Sequence, residues 1–158
     1  MAISVGDRLP SISLHEGSPK SQVDSASLFA EGRGIVFAVP GAFTPGCSKT
    51  HLPGYIADAD KYAAKGIDGI VCLAVNDAFV MAAWGEAHGA GDKVRMLADP
   101  AGDFAKAVGL DVNAAVLGGT RSKRYAMVVE NGVVTHLEVE PDGFGLSCSL
   151  SGSLLERI

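Results

Sequence analysis

Apolar residues along this chain fall into short runs and helical stripes. Runs at 34–39, 67–75 and 94–97 predict three buried strands, and runs at 125–129 and 133–137 flank an Asn-Gly pair typical of a β-hairpin. Two segments lie between these strands, one after the first run and one after the second. Their apolar residues recur every three or four positions, which predicts amphipathic helices. The stripes are Leu52, Tyr55, Ile56, Ala59, Tyr62 and Ala63, and then Phe79, Val80, Ala83, Trp84 and Ala87. Strands alternating with helices indicate an α/β protein with parallel pairing.

Individual residues indicate where some helices begin and end. Pro53 lies early in the first helix, so we expect a first-turn position or a kink there. Asp77 has the place and chemistry of an N-cap for the second helix. A short helix over 104–108 should end at Gly109, because glycine readily adopts the left-handed conformation that follows a helix.

The two ends of the chain are less regular. Residues 1–30 are polar and rich in turn residues, which predicts a cap with short strands around Ile12 and Leu14. The tail over 147–158 should end in one or two helical turns. With no internal repeat and no linker, we expect a single domain over 1–158.

Composition narrows the possible functions. Of 158 residues, 47% are hydrophobic and 20% are charged, as in a soluble globular protein. The net charge of -5 and the lack of a basic run longer than 121–124 argue against a nucleic-acid partner. No apolar stretch is long enough for a membrane span, and the first residues do not resemble a signal peptide. We therefore expect a cytoplasmic protein without a membrane partner.

The cysteines exclude several kinds of site. Cys47, Cys72 and Cys148 are odd in number and far apart, which argues against a secreted disulfide framework. There is no Cys-x-x-Cys pair, so neither a zinc site nor a dithiol reductase centre is expected. A phosphatase loop of the Cys-x5-Arg type is excluded because position 53 is proline. A cysteine protease would need a positioned histidine, and none stands in a recognisable context.

Cys47 has the best position for chemistry. It follows the first buried strand, after the turn-rich loop 40–46, at the predicted start of a helix. Reactive groups of α/β proteins gather at the carboxyl ends of strands. A helix N-terminus and a nearby cation both stabilise a thiolate, which is the nucleophilic form of cysteine. We therefore interpret Cys47 as the nucleophile.

The neighbours of Cys47 supply suitable polar groups. Gly46 and Cys47 can present backbone N–H groups at the helix start. The Thr44 hydroxyl can point at the sulfur or at a bound oxygen, or it can cap the helix. Pro40 stiffens the loop and brings no N–H donor. A distant arginine could complete the pocket.

The segment Pro40-x-x-x-Thr44-x-x-Cys47 resembles the active-site signature of the peroxiredoxins. The longer string over 40–55 is similar to the peroxiredoxin-5 or type II branch. The similarity continues through 75–84, 123–125, 139–143 and 145–150, so it covers nearly the whole chain. This resemblance implies a thioredoxin-like α/β fold with a central mixed sheet flanked by helices.

The resemblance also implies roles for named residues. Cys47 would be the peroxidatic cysteine, and Thr44 would polarise the peroxide. Arg124 would hold both the thiolate and the peroxide, while the N–H groups of Gly46 and Cys47 would stabilise the developing charge. From the residues alone, Arg121 and Lys123 are equal candidates, and only the resemblance favours Arg124.

The activity implied by the resemblance is that of a thiol peroxidase. It would reduce hydrogen peroxide and organic hydroperoxides, and Cys47 would become a sulfenic acid. Glutathione with glutaredoxin, or thioredoxin, would recycle it, and the protein would form a homodimer. No metal or organic cofactor is implied. The alternative is a non-enzymatic peroxide sensor that passes its oxidation to a partner protein.

Several residues have two interpretations. Cys72 lies inside an apolar strand, which favours a buried hydrophobic role, although plant relatives carry a proposed redox partner at the matching position. Cys148 matches the resolving position of animal peroxiredoxin-5 but could be a bystander. His51 is expected to be an exposed helical residue. Four apolar residues are expected in the core or at a dimer contact: Phe43, Pro45, Phe79 and Trp84.

Overall fold

The computed structural model describes residues 2–158. The strands are β1 (Ser13–Glu16), β2 (Ser18–Asp24), β3 (Arg33–Ala38), β4 (Gly69–Ala74), β5 (Arg95–Ala98), β6 (Asp111–Ala114), β7 (Gly119–Ser122), β8 (Tyr125–Glu130) and β9 (Val133–Val139). The α-helices are α1 (Leu52–Ala64), α2 (Ala78–Ala87), α3 (Asp103–Ala107) and α4 (Ser151–Leu155). Short 3-10 turns cover Ser25–Ser27 and Ala115–Leu117, and a π turn covers Cys47–His51.

Seven strands form one mixed sheet in the order β2-β1-β5-β4-β3-β8-β9. The central strands β3, β4 and β5 are parallel. The β8 strand pairs antiparallel with β3, and β9 pairs antiparallel with β8. The mixed sheet with flanking helices confirms the predicted fold class. The strands predicted from apolar runs agree with the structure to within two residues at either end. The runs of β3, β4 and β8 are continuous because these strands are buried on both faces.

The alternation of side chains along β3 divides the interior into two cores. Ile35 and Phe37 point to the face that α1, α2 and α4 cover, where Cys47 also lies. Val36 and Ala38 point to the opposite face and pack in a second cluster with α3 residues. This period of two follows from the pleat of a strand. The candidate nucleophile therefore lies in the first core, beside the centre of the sheet.

Most local predictions agree with the structure. Pro53 lies in the first turn of α1, and the Asp77 side chain accepts a hydrogen bond from the N–H group of Val80 at the start of α2. The β8–β9 hairpin turns at Asn131 and Gly132, which both have positive φ angles. Three other predictions agree: strand β1 contains Leu14, α3 is followed by Gly109 with positive φ, and the tail contains α4. Ile12, around which a strand was also predicted, lies just before β1.

The predicted buried face of α2 is wrong except at Trp84. Phe79 is 62% exposed, and Ala83 and Ala87 are exposed as well. The buried residues are Ala78, Met81, Trp84 and Gly85. Almost every residue of this helix is apolar, so spacing alone cannot show which face turns inward.

The β6–β7 hairpin was not predicted. It forms a separate two-stranded sheet, and only one residue of each strand is buried. Each strand has only four residues, and the residues of β7, Gly-Thr-Arg-Ser, include no large apolar side chain, so the strand signal is weak. The hairpin matters for the site because Arg121 lies on β7. None of the helices within residues 2–158 has the length and apolar character to cross a bilayer.

Candidate active site

Cys47 lies in the first turn of a helix that begins just beyond the end of β3. The chain reverses at Phe43, which has a φ angle of 64°. Helical structure begins at Pro45, a residue whose fixed φ suits the first helical position. The carbonyl of Thr44 accepts the N–H group of Ser48 at 2.9 Å. This arrangement places the Cys47 thiol at the positive end of the helix dipole.

The helix is wider than an α-helix where it carries Cys47. Residues Cys47–His51 form a π turn, in which the N–H group of Leu52 reaches the carbonyl of Cys47. Pro53 comes two residues after this turn, and as a proline it has no N–H group to donate to the carbonyl four residues earlier. The wide turn therefore brings both Cys47 and His51 against the core.

Among the three candidate cations, Arg124 is the one at the sulfur. Its Nη2 atom donates to the Cys47 Sγ atom at 3.3 Å, and both residues are nearly inaccessible, at 4% and 0% exposure. Lys123 instead lies along Gly143. Arg121 donates to the backbone carbonyls of Val75, Leu117 and Pro40. A guanidinium beside a buried thiol favours the thiolate form.

Four contacts hold Arg124 in place, two through the guanidinium and two through the backbone. Its Nε atom donates to the carbonyl of Phe144 at 3.3 Å, and its Nη1 atom donates to the Nδ1 atom of His51 at 3.0 Å. Its backbone N–H group donates to the carbonyl of Gly143 at 2.7 Å, and its carbonyl accepts from Glu140. The guanidinium is therefore oriented by fixed groups before any substrate arrives.

The prediction of an exposed His51 is wrong. The residue is fully buried, because residues four apart in this helix share the face that carries Cys47 and Tyr55. Its Nε2 atom lies 3.2 Å from the carbonyl of Ser149. Burial, and then the charge of Arg124, lower the pKa of His51 from 6.5 to about 3. The imidazole is therefore neutral in the folded protein at neutral pH.

Thr44 and Pro40 shape the loop in front of the sulfur. The Thr44 hydroxyl donates to the carbonyl of Gly41 at 2.7 Å and makes no hydrogen bond to Cys47. Its oxygen can therefore accept a hydrogen bond from a bound molecule. Pro40 is buried, and Arg121 binds its carbonyl.

Gly46 allows the close packing around the thiol. A Cβ atom at this position would lie 3.2 Å from Leu146 and 3.4 Å from the Nη2 atom of Arg124. Gly46 and Cys47 belong to the first helical turn, whose N–H groups have no acceptor one turn earlier in the helix. These donors and the guanidinium form the polar side of the pocket.

Cys72 lies in the middle of β4, fully buried and paired with Phe37 and Met96 on the neighbouring strands. Burial raises the pKa of its thiol far above the ordinary value. The geometry agrees with the interpretation of Cys72 as a small hydrophobic residue.

Cys148 lies in the loop before α4 and is partly buried. Its thiol approaches the carbonyl of Val139 at 3.5 Å. Burial, and then the charges of Glu140 and Glu138, raise the pKa of this thiol. The Cys148 side chain is therefore protonated at neutral pH.

The loop around Cys148 is anchored on Glu140, a residue that the sequence analysis did not single out. Its carboxylate is 1% exposed and accepts hydrogen bonds from the N–H and hydroxyl groups of both Ser147 and Ser149. Burial alone would raise the pKa of Glu140, but these hydrogen bonds outweigh it and lower the pKa from 4.5 to about 2. The two anchored serines flank Cys148.

Side chains from the Cys47 helix also reach this loop. The carbonyl of Ser149 accepts the Tyr55 hydroxyl at 2.7 Å and lies within reach of His51. Cys47, His51 and Tyr55 are spaced by four residues, and that spacing was the signal that could have revealed the buried histidine.

Trp84 is fully buried, as predicted, and its indole N–H group donates to the Ser48 hydroxyl at 3.0 Å. Phe43 and Phe79 do not lie in the core, since their exposed fractions are 55% and 62%. Pro45 is exposed as well. Within residues 2–158, no group of three His, Cys, Asp or Glu side chains could hold a metal ion.

The family model described as Redoxin matches residues 4–147. Chloroplastic peroxiredoxin-2E of Arabidopsis thaliana is 45% identical over 149 residues, which are 90% of this chain and 64% of that protein. The chain thus spans less than two thirds of the length of this relative.

Two solved structures resemble the whole chain. Reduced Prx3 from Vibrio vulnificus, in complex with H2O2, has a TM-score of 0.92 and 46% identity, with 99% of each chain covered. Peroxiredoxin 5 from Alvinella pompejana has a TM-score of 0.85 and 40% identity, again with 99% of each chain covered.

Proposed function

This chain belongs to the redoxin family, among the peroxiredoxins of the atypical type, and we propose that it is a thiol-dependent peroxidase with Cys47 as its nucleophile. The observation that carries the proposal is the contact of 3.3 Å between Arg124 Nη2 and Cys47 Sγ in a buried pocket. Neither Cys72 nor Cys148 has a cation at its sulfur, and the pKa of each is raised.

The first step is the attack of the Cys47 thiolate on one oxygen of the peroxide. A sulfur–oxygen bond forms and the oxygen–oxygen bond breaks, so the sulfur loses two electrons and the peroxide gains them. The leaving oxygen takes up a proton and departs as water or an alcohol, and Cys47 becomes a sulfenic acid. The donors of Arg124 and the N–H groups of Gly46 and Cys47 stabilise the charge that develops during this step.

Thr44 orients the peroxide in this proposal. Because its own proton is directed at the carbonyl of Gly41, its oxygen is available to accept the peroxide O–H group. That contact would fix the peroxide between Thr44 and Arg124. The substrates are hydrogen peroxide and organic hydroperoxides, and the H2O2 complex of the similar Vibrio vulnificus structure supports the first of these.

Cys148 supplies the resolving thiol in this proposal. Its thiol attacks the sulfenic sulfur, a disulfide forms, and the hydroxyl of the sulfenic acid leaves as water with the thiol proton. A disulfide needs Cα atoms within about 7 Å, so the loop and the Cys47 turn have to approach each other if they lie farther apart. Thioredoxin then reduces the disulfide. Glutathione with glutaredoxin is the reductant if Cys148 takes no part.

The protein forms a homodimer in this proposal, at a rim of exposed apolar side chains. The rim consists of Phe43, Phe79, Phe144 and Leu146. Phe43 lies on the loop before Cys47, and Phe144 and Leu146 lie on the loop that contacts Arg124 and Gly46. Exposed apolar groups of this size favour burial against a second copy. The cytoplasmic location remains a prediction.

A steady-state recycling assay tests the peroxidase. The protein is mixed with hydrogen peroxide or an organic hydroperoxide, and with either the thioredoxin or the glutathione–glutaredoxin system. We expect catalytic peroxide loss that Cys47→Ser abolishes. Stoichiometric consumption that stops after one equivalent would instead indicate the non-enzymatic sensor, since both functions share the first step.

Cys148→Ser tests the resolving role separately. We expect turnover with thioredoxin to fall and the Cys47–Cys148 disulfide, seen by mass spectrometry in the wild type, to be lost. Unchanged turnover without any such disulfide would establish the one-cysteine mechanism. Cys72→Ser serves as the comparison variant.

A further inference from the structure

His51 connects the two regions that carry Cys47 and Cys148. On one side its ring meets Arg124, which donates to the Cys47 sulfur. On the other side it meets the carbonyl of Ser149, the residue after Cys148. His51 itself does not contact the sulfur, so any part it plays in the reaction acts through Arg124.

The hydrogen-bond partners determine the tautomer of His51. A guanidinium has donors only, so the Nδ1 atom that faces Arg124 must be the acceptor. The ring proton is then on Nε2, where it can donate to the carbonyl of Ser149. Both nitrogens of this fully buried ring are therefore satisfied by one arrangement of protons.

The acceptor on His51 matters because Arg124 is almost completely buried. Without Nδ1, the Nη1 group would lose its partner in a place that water does not reach, and an unpaired buried donor is strongly disfavoured. The guanidinium would turn to find another acceptor. Since Nη1 and Nη2 belong to one rigid plane, that turn would also move the donor away from Cys47.

The donor on His51 matters for the other region. Ser147 and Ser149 fix the Cys148 loop to Glu140 at the end of β9, but those bonds do not link the loop to the Cys47 helix. His51 and Tyr55 supply that link at the carbonyl of Ser149. Of the two, His51 belongs to the same π turn as Cys47.

We propose that His51 is a positioning residue that directs Arg124 at Cys47 and ties the Cys148 loop to the turn carrying Cys47. The inference rests on the proposed peroxidase function. In this proposal the Nδ1 atom directs Arg124, and the Nε2 atom holds the Cys148 loop through Ser149.

Three substitutions separate the tasks. His51→Asn keeps an acceptor where Nδ1 stands and loses the donor to Ser149. His51→Gln can place a donor where Nε2 stands and loses the acceptor for Arg124. His51→Phe loses both and keeps an aromatic ring, which in the wild type lies 4.8 Å from Phe37 and 5.6 Å from Tyr55 between centroids. His136→Gln, on β9, is the matched control.

The first measurement is the rate of a single reaction with hydrogen peroxide, followed by rapid quenching and mass spectrometry. We expect His51→Gln and His51→Phe to react about tenfold more slowly than the wild type, and His51→Asn to stay within about threefold. His136→Gln should react at the wild-type rate. A structural role alone would slow the Asn and Gln variants equally.

The second measurement is the labelling rate of Cys148 by a maleimide, with Cys47→Ser in every protein. Here the order reverses, since the Asn and Phe variants lose the link to Ser149 and should label about threefold to tenfold faster. The Gln variant should label at nearly the wild-type rate. If the Phe variant fails to fold, the Asn and Gln variants alone still test the proposal, because their order is expected to reverse between the two measurements.

Three results would overturn the positioning role: equal slowing by Asn and Gln, a slower reaction in Asn than in Gln, or labelling that none of the substitutions changes. A wild-type protein that does not react with peroxide would refute the proposed function instead. The labelling order would then still decide whether His51 links the two regions.

Discussion

The surroundings of Cys47 and Cys148 differ in the sign of the charge at the sulfur. Cys47 is completely buried, yet a guanidinium faces it at the start of a helix. Cys148 is more accessible, yet its charged neighbours are the carboxylates Glu140 and Glu138, which together with burial raise its pKa. Charge at the sulfur, and not exposure, therefore distinguishes the thiol proposed to attack the peroxide from the thiol proposed to resolve the sulfenic acid.

Removing the cation should erase the difference between the two thiols. In Arg124→Gln, the reaction with peroxide should slow about a hundredfold, because one oriented charged donor is lost from a buried site. Rapid quenching followed by mass spectrometry of the sulfenic acid measures the rate. Lys123→Gln removes the neighbouring cation, which does not face the sulfur, and should stay within about twofold. A rate within threefold of wild type in Arg124→Gln would show that the cation is unimportant.

Removing the carboxylate should make Cys148 more reactive without affecting Cys47. Glu140→Gln replaces an acceptor of four hydrogen bonds with an amide that cannot accept them all. Cys148 should react with a maleimide about tenfold faster, and the free energy of unfolding should fall by about 2 kcal/mol.

Glu138→Gln is the control for this change, since Glu138 also faces Cys148 but pairs with Arg157 on the surface. It should change the labelling by about twofold or less. A Glu140→Gln protein that also loses its peroxide reaction would show that the two regions are not chemically distinct.

His51, which lies between the two regions, should make the free energy of unfolding depend on pH in the acid range. Its pKa is 6.5 in the unfolded chain and about 3 when folded, so below pH 6.5 the unfolded state binds a proton that the folded state does not. The free energy of unfolding should therefore fall as pH falls from 6.5 towards 3, by about 2.7 kcal/mol at pH 4.5, which is two pH units at about 1.36 kcal/mol each.

Urea unfolding of wild type and His51→Gln across this range isolates the contribution, because only the wild type should show it. Glu140 becomes important at lower pH, since its pKa is lowered from 4.5 to about 2 and its contribution is lost between those values. Parallel curves for the two proteins between pH 6.5 and 4.5 would contradict a neutral buried His51.

The smallest effect is expected at the third thiol. Cys72→Ala should leave the peroxide reaction within about twofold of wild type, because Cys72 lies inside the sheet and bears no polar contact. The small cavity should lower the free energy of unfolding by about 1 kcal/mol. A Cys47–Cys72 disulfide in peroxide-treated wild type, detected by mass spectrometry, would show that Cys72 also takes part in the reaction.

The sequence was informative where local pattern decides structure. The apolar runs of β3 and β4 and the Asn131-Gly132 turn specify their own conformations. The place of Cys47 followed from the same information, because a buried strand, a Pro/Gly loop and a helical stripe leave little choice for the residue between them.

The sequence could not show which residues far apart along the chain make contact, or which face of the almost entirely apolar helix α2 turns inward. Arg124 meets Cys47 across 77 residues. From the residues alone, positions 121, 123 and 124 were equal candidates, and only the family resemblance favoured Arg124. No sequence pattern marked Glu140, since its partners lie in a loop without regular structure. The position of His51 also depends on the π turn over Cys47–His51, which the sequence did not predict.

The hydrogen bond between Trp84 and Ser48 gives the protein an optical signal of its own chemistry. Trp84 is the only tryptophan in the chain, and its partner is the residue next to Cys47. A movement of the Cys47 turn that separates Ser48 from Trp84 would break that bond and change the polarity around the indole. Intrinsic fluorescence would thus follow the opening and closing of the turn in real time, without an added dye.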